Sequence, residues 1–183
     1  PQGGSPTSAG GAEAAIEPLC YAGESVVDLV ARHHNLLVTR TLSKAHSLAG
    51  FRIGYGVFPE PIAEELNQNN DAYPLARPSQ AAAIATLKHE GKVRERVSRL
   101  RSWTTELADD LEELGIRTFP TETYFFLADF SPHDAGEIAL ALRERDIFVK
   151  PLEGSRLGSG YMRVTTARPE ENQRVVNALR EIL

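Results

Sequence analysis

Lys44 stands in a run of small and hydroxyl-bearing residues, Thr41-Leu42-Ser43-Lys44-Ala45-His46-Ser47-Leu48-Ala49-Gly50, and Arg52 follows eight positions later. An amine in such company can attack a carbonyl and form a Schiff base, provided other groups hold the carbonyl compound in place. Ser43 and Thr41 offer hydroxyls, the loop offers backbone N–H groups, and Arg52 offers a guanidinium fork. Together these are donors for a phosphate. Small residues let the backbone approach a bulky ligand closely. An amine beside a phosphate clamp is what pyridoxal 5'-phosphate (PLP) requires, since its aldehyde takes the lysine and its phosphate takes the clamp. Each residue alone has a plainer reading. A single lysine is usually a solvated surface residue, a strand-edge arginine is often an ion-pair partner, and a Ser or Thr after a strand often caps a turn. The combination favours chemistry, with Ser43 a stronger candidate than Thr41. His46 is given no role, because a lone histidine is more often structural.

Arg163 is the second candidate. It sits in the apolar run Tyr161-Met162-Arg163-Val164, and a charge among apolar strand residues calls for a strong anionic partner. That partner is either an internal carboxylate or a ligand carboxylate held bidentately.

Elements must position these side chains. The run Leu36-Leu37-Val38-Thr39-Arg40 predicts a buried strand leading into the lysine loop, and Arg52–Phe58 predicts a second strand leaving it. Glycines alternating with larger residues in that second strand suit close packing against a flat neighbour. Helices are predicted over Glu24–His33, Ile62–Asn67 and Ser79–His89, the last with Ser79 as N-cap. Gly91 is expected to interrupt, and Lys92–Leu114 to form a long charged helix ending at Gly115. Strands over 116–119, 123–130, 147–150 and 161–165, a helix from Ser131 or His133 to Arg145, and a last helix over 168–183 complete the chain.

These motifs resemble a known family. The lysine run with Phe51-Arg52-Ile53-Gly54-Tyr55-Gly56 resembles the lysine signature of fold-type I PLP-dependent aminotransferases of class I/II. From about Gly23 to Leu183 the chain resembles the C-terminal half of histidinol-phosphate aminotransferases. Tyr73-Pro74-Leu75-Ala76-Arg77-Pro78, Tyr161-Met162-Arg163-Val164 and Pro169-Glu170-Glu171-Asn172 carry the likeness further. The resemblance implies an α/β fold: the C-terminal part of a PLP-binding large-domain sheet (23–90) followed by a small α+β domain (91–183), after a flexible lead-in (1–22). It implies Lys44 as the catalytic lysine and proton shuttle, which burial and a nearby positive charge would help to keep neutral. It implies Arg52, Ser43 and Thr41 at the cofactor phosphate, and Arg163 at the substrate α-carboxylate. Amino-acid and 2-oxo acid substrates follow from the same likeness. Tyr124 stands where relatives commonly place an asparagine, Lys150 stands near a family arginine and is read as peripheral, and Tyr73 and Arg77 belong to a turn that lies near the site in relatives.

In that family the carboxylate at the pyridine nitrogen, an asparagine, a stacking aromatic and a glycine-rich phosphate turn all precede the lysine. The nearest counterpart here is Ala12-Glu13-Ala14-Ala15, in which alanines replace the expected aspartate and tyrosine. The chain is therefore expected to be part of a larger enzyme, to transaminate weakly or not at all alone, and to associate as a homodimer or with an N-terminal half. The alternative is a catalytically degenerate fragment serving as a binding or assembly module.

Composition sets further bounds. The 183 residues are 42% hydrophobic and 25% charged, with a net charge of −5. That balance argues against a nucleic-acid partner and offers no polybasic membrane patch. No apolar run reaches the ~18 residues of a spanning helix. One cysteine, Cys20, fits a reducing, cytoplasmic setting without disulfides.

Overall fold

The computed structural model describes residues 11–13, 25–152, 154 and 156–183. Cys20 and the rest of the expected lead-in lie outside them. The chain divides into two compact units, Pro1–Arg94 and Glu95–Leu183, and both mix helix with sheet.

The first unit is built on a three-stranded sheet, β1 (Gly11–Glu13), β2 (Leu37–Thr41) and β3 (Gly54–Val57), in that order. β1 runs parallel to β2 and β3 antiparallel to it. Three residues of the expected lead-in thus form a strand, which a small-residue composition does not announce because a ladder needs only backbone donors and acceptors. Val38 alone is buried in β2, so the strand is less enclosed than its apolar run predicts. β3 begins two residues later than expected. Its first residue, Gly54, is required by its neighbour: a Cβ there would lie 2.5 Å from the Arg40 carbonyl oxygen and 3.3 Å from the Thr41 Cα.

The helix expected over 24–33 is instead a six-residue 3-10 turn, Val27–Arg32, in which only Val30 is buried. β-branched Val26 and Val27 are poor helix formers, and one buried side chain is too little packing to offset them. α1 (Glu60–Gln68) and α2 (Arg77–Leu87) each carry a proline in the first turn, where the missing N–H costs nothing. α2 starts two residues before the predicted N-cap, so Ser79 lies inside its first turn. α3 (Glu90–Glu113) runs through Gly91 rather than stopping there. A glycine at the second helical position is tolerated because the N–H groups of the first turn lack intrahelical partners in any case. At the other end Gly115 takes φ 81°, and the Ile116 N–H returns to the Leu111 carbonyl at 3.1 Å, closing α3 in a left-handed cap.

The second unit is a four-stranded antiparallel sheet of β4 (Arg117–Thr118), β5 (Phe125–Asp129), β6 (Lys150–Pro151) and β7 (Tyr161–Thr165), in the order β4-β5-β7-β6. Alternation sends Phe126, Ala128, Met162 and Val164 to one face, where all four are buried. Leu107 and Leu111 of α3, Leu142 of α4 (Ala135–Arg143) and Leu179 of α5 (Pro169–Ile182) share one core with them. The opposite face carries Phe125, Leu127, Asp129, Tyr161, Arg163 and Thr165, all at least partly exposed. Among the described residues no helix is long and apolar enough to cross a membrane, and no cluster of His, Cys, Asp and Glu could hold a metal.

Two carboxylates secure the connection from β5 to α4. Asp129 accepts the Ser131 hydroxyl and the Ser131 N–H (3.0 Å), and then the Tyr161 hydroxyl, which hold its pKa below the usual 3.8. The same bond pushes the Tyr161 phenol above 10.0. Asp134 caps α4 by accepting from the Glu137 N–H (3.1 Å), the Ser159 hydroxyl and the Gly136 N–H (2.8 Å), and its pKa is lowered likewise. A lowered folded pKa means that the unfolded chain takes up protons first on acidification. This stabilisation is therefore present above pH 3.8 and lost as pH falls through the folded values. The melting temperature is expected to hold from pH 7 to 5 and to drop below about pH 4. Asp134→Ala is expected to lower it at neutral pH by roughly 4–8 °C and to shrink the acid drop, as thermal denaturation across pH would record.

Candidate functional site

The lysine loop, residues 42–53, is closed at its base by backbone. Thr41 pairs with Gly54 in the β2–β3 register, and the Leu42 N–H donates to the Ile53 carbonyl at 3.1 Å. Ser43 and Lys44 follow Leu42 and Arg52 precedes Ile53, so the residues expected at the phosphate adjoin the two sides of that closure. Within the loop the Leu48 N–H returns to the Leu42 carbonyl at 3.0 Å and the Ser47 N–H to the Lys44 carbonyl at 2.9 Å. Leu42, Leu48 and Ile53 are buried against Ala83 of α2. These apolar anchors fix the loop, while Lys44 and Arg52 are exposed.

Each predicted residue has a defined setting. Lys44 is exposed rather than buried. Ser43 is partly buried, and its N–H donates to the Thr41 Oγ1 at 3.0 Å. Thr41 thereby performs the turn-capping role open to it on sequence grounds, while its own O–H stays available as a donor. Arg52 is exposed, adopts φ 49° and ψ 50°, and donates one guanidinium N–H to the Ala49 carbonyl at 3.1 Å. The remaining N–H groups of its fork suit an anion. An amine, two hydroxyls and a guanidinium around one strand end form a donor set that fits a phosphate-bearing aldehyde.

Arg163 lies in the second unit on the exposed sheet face, between buried Met162 and Val164. No ion pair holds it among the described residues. Its guanidinium instead lies over the Phe125 ring at 5.3 Å from the centroid, within cation–π range. Its cross-strand partners are Leu127 and Lys150. Lys150, read as peripheral from sequence, is thus the immediate neighbour of Arg163, and direct cross-strand partners point to the same side. Two cations side by side on one face suit an anionic ligand group. The β6–β7 register joins them across 13 residues of chain, and no local pattern announces it. Tyr124 packs edge-on against Phe125, with centroids 5.4 Å apart, and its carbonyl accepts the Thr166 N–H at 2.8 Å. Tyr73 is 94% exposed, and Arg77 opens α2.

Comparison with known proteins points the same way as the donor set. The aminotransferase class I and II family profile matches residues 9–179. A histidinol-phosphate aminotransferase of Thiobacillus denitrificans is 38% identical over 165 residues, covering 88% of this chain and 46% of the relative. The chain therefore spans about half the length of the curated relatives it matches. Among solved structures, the histidinol-phosphate aminotransferase of Clostridium acetobutylicum superposes with a TM-score of 0.86 at 20% identity, over 94% of this chain and 53% of that one. That of Sinorhizobium meliloti, solved in complex with pyridoxal-5'-phosphate, gives 0.82 at 22% identity over 94% and 49%.

Proposed function

The chain belongs to the aminotransferase class I and II family, and on that premise we propose that it supplies the lysine, phosphate clamp and carboxylate-binding arginine of a PLP-dependent aminotransferase of the histidinol-phosphate type. The reaction is amino-group transfer between an amino acid or histidinol phosphate and a 2-oxo compound. The observation that supports the reading is the Leu42–Ile53 closure, with Ser43 and Lys44 adjoining one side of the loop base and Arg52 the other. When bound, PLP supplies the electron sink that such a transfer needs. Lys44 holds the cofactor aldehyde carbon and afterwards carries the proton. Arg52 and Ser43 bind the phosphate, and Thr41 keeps the turn that aims Ser43. Arg163, which lies over the Phe125 ring, receives the substrate carboxylate, with Lys150 adding charge beside it. The likeness to the Thiobacillus relative supports the histidinol-phosphate type over others. The reading includes association with a second copy or with an N-terminal half, and the latter would provide the carboxylate for the pyridine nitrogen.

Titration with PLP and with pyridoxal, which lacks the phosphate, tests the clamp. The wild-type chain is expected to prefer PLP. Arg52→Ala is expected to weaken PLP by roughly 10- to 100-fold, the range of a charge-assisted bond, and to leave pyridoxal unchanged. Equal loss for both ligands, or no loss, contradicts the assignment.

A further inference from the structure

We propose that Ser79 is a positioning residue for Arg52: through the Phe51 carbonyl it holds the phosphate-binding arginine in its left-handed backbone conformation. The inference rests on reading Arg52 as the phosphate ligand. Ser79 is only 6% exposed and is the one buried polar side chain of the first unit among the described residues. Its hydroxyl donates to the Phe51 carbonyl at 2.8 Å, across 28 residues of sequence. A serine in the first turn of a helix commonly serves its own backbone. Here the N-cap is Ala76, with no side-chain cap, and Ser79 reaches to another element instead.

The bond falls where backbone control is needed. The Phe51 carbonyl and the Arg52 N–H belong to one rigid peptide plane, so fixing the carbonyl fixes the plane from which the Arg52 φ is measured. That φ is 49°, a value that a residue with a Cβ keeps only when its surroundings impose it. The neighbouring restraints are local. The Phe51 N–H bonds the Leu48 carbonyl at 3.0 Å, and the Ile53 carbonyl receives the Leu42 N–H at 3.1 Å. Ser79 ties this peptide to α2. One helical turn further on, buried Ala83 joins Leu42, Leu48 and Ile53 in one cluster, and its small side chain lets the helix come close enough for the hydroxyl to reach. Loss of that bond removes this tie from α2 to the 51–52 peptide and loosens the backbone that presents the Arg52 guanidinium.

Ser79→Ala and Ser79→Thr in the full chain, titrated with PLP and with pyridoxal, test the proposal. Ser79→Ala is expected to lower PLP affinity roughly 3- to 10-fold, the range of one neutral hydrogen bond, with pyridoxal affinity unchanged. Ser79→Thr, which keeps the hydroxyl, is expected to restore the wild-type ratio. Amide exchange is expected to quicken locally at residues 51–53 in the alanine variant. Equal weakening of both ligands, or an unchanged ratio, overturns the positioning role and leaves Ser79 a packing residue. If Ser79→Ala does not fold, Ser79→Cys, a weaker donor of similar size, carries the same comparison. A wild-type chain that binds PLP and pyridoxal equally overturns the Arg52 assignment itself. A wild-type preference retained in the Ser79 variant overturns only the present inference.

Discussion

Lys44→Ala is expected to abolish the selective pyridoxyl label that borohydride fixes on the chain after incubation with limiting PLP. The effect is all-or-none because the bond is covalent and forms at a single amine. The chain has four lysines, Lys44, Lys88, Lys92 and Lys150, so three internal controls come with the experiment. Lys88 lies just past the end of α2 and Lys92 on α3, both exposed, with no strand end and no hydroxyl pair to gather a phosphate. Lys150 has a cationic neighbour in Arg163 but stands on a sheet face rather than in a loop. These amines react with PLP only as any surface lysine does. Alanine at position 44 opens no core cavity, since Lys44 is exposed, and Leu42 and Leu48 still anchor the loop. The variant is therefore expected to melt within about 0.5 kcal/mol of wild type. A variant that keeps one strongly labelled lysine contradicts the assignment.

Phe126→Ala is expected to cost about 3–5 kcal/mol, enough to bring the second unit near its unfolding midpoint. Phe126 is 2% exposed and sits at the centre of β5, where its backbone partner is Val164. Removing the ring leaves a cavity among Leu107, Leu142, Met162 and Leu179, members of one core, and helices from both ends of the unit cannot close in together to fill it. The loss reaches the site because Val164 follows Arg163 directly, and Leu127, next to Phe126, is the cross-strand partner of Arg163. A urea titration followed by circular dichroism reads the effect as a lower midpoint. A shift worth less than about 1 kcal/mol would mean that the core of the unit lies elsewhere.

Patterns of local period were legible in the sequence. Tyr161–Thr165 alternates, and β7 has those bounds. The last helix is announced by Pro169 and the acidic pair Glu170 and Glu171, and α5 begins at Pro169. The loop between two strands was also legible, because small residues and hydroxyls bracket Lys44. Three things were not. The helix expected over 24–33 shrank to one 3-10 turn because tertiary burial, which sequence period does not measure, takes up only Val30. Lys150 was set aside because cross-strand register is a property of pairing, not of either strand. Ser79 was read as a cap because its residue type suits one; its true partner is 28 positions away. Residue types and local spacing thus announce elements and candidate groups, while the partners of side chains such as Ser79 depend on long-range packing.

The central claim is that Lys44 is the cofactor lysine, presented by a strand-end loop whose neighbours hold a phosphate. Peptide mass mapping of the wild-type chain, reduced with borohydride after limiting PLP, tests it most directly. The expected result is one pyridoxyl group on the peptide containing Lys44, suppressed by competing inorganic phosphate. Label spread evenly over Lys44, Lys88, Lys92 and Lys150, and indifferent to phosphate, would contradict it.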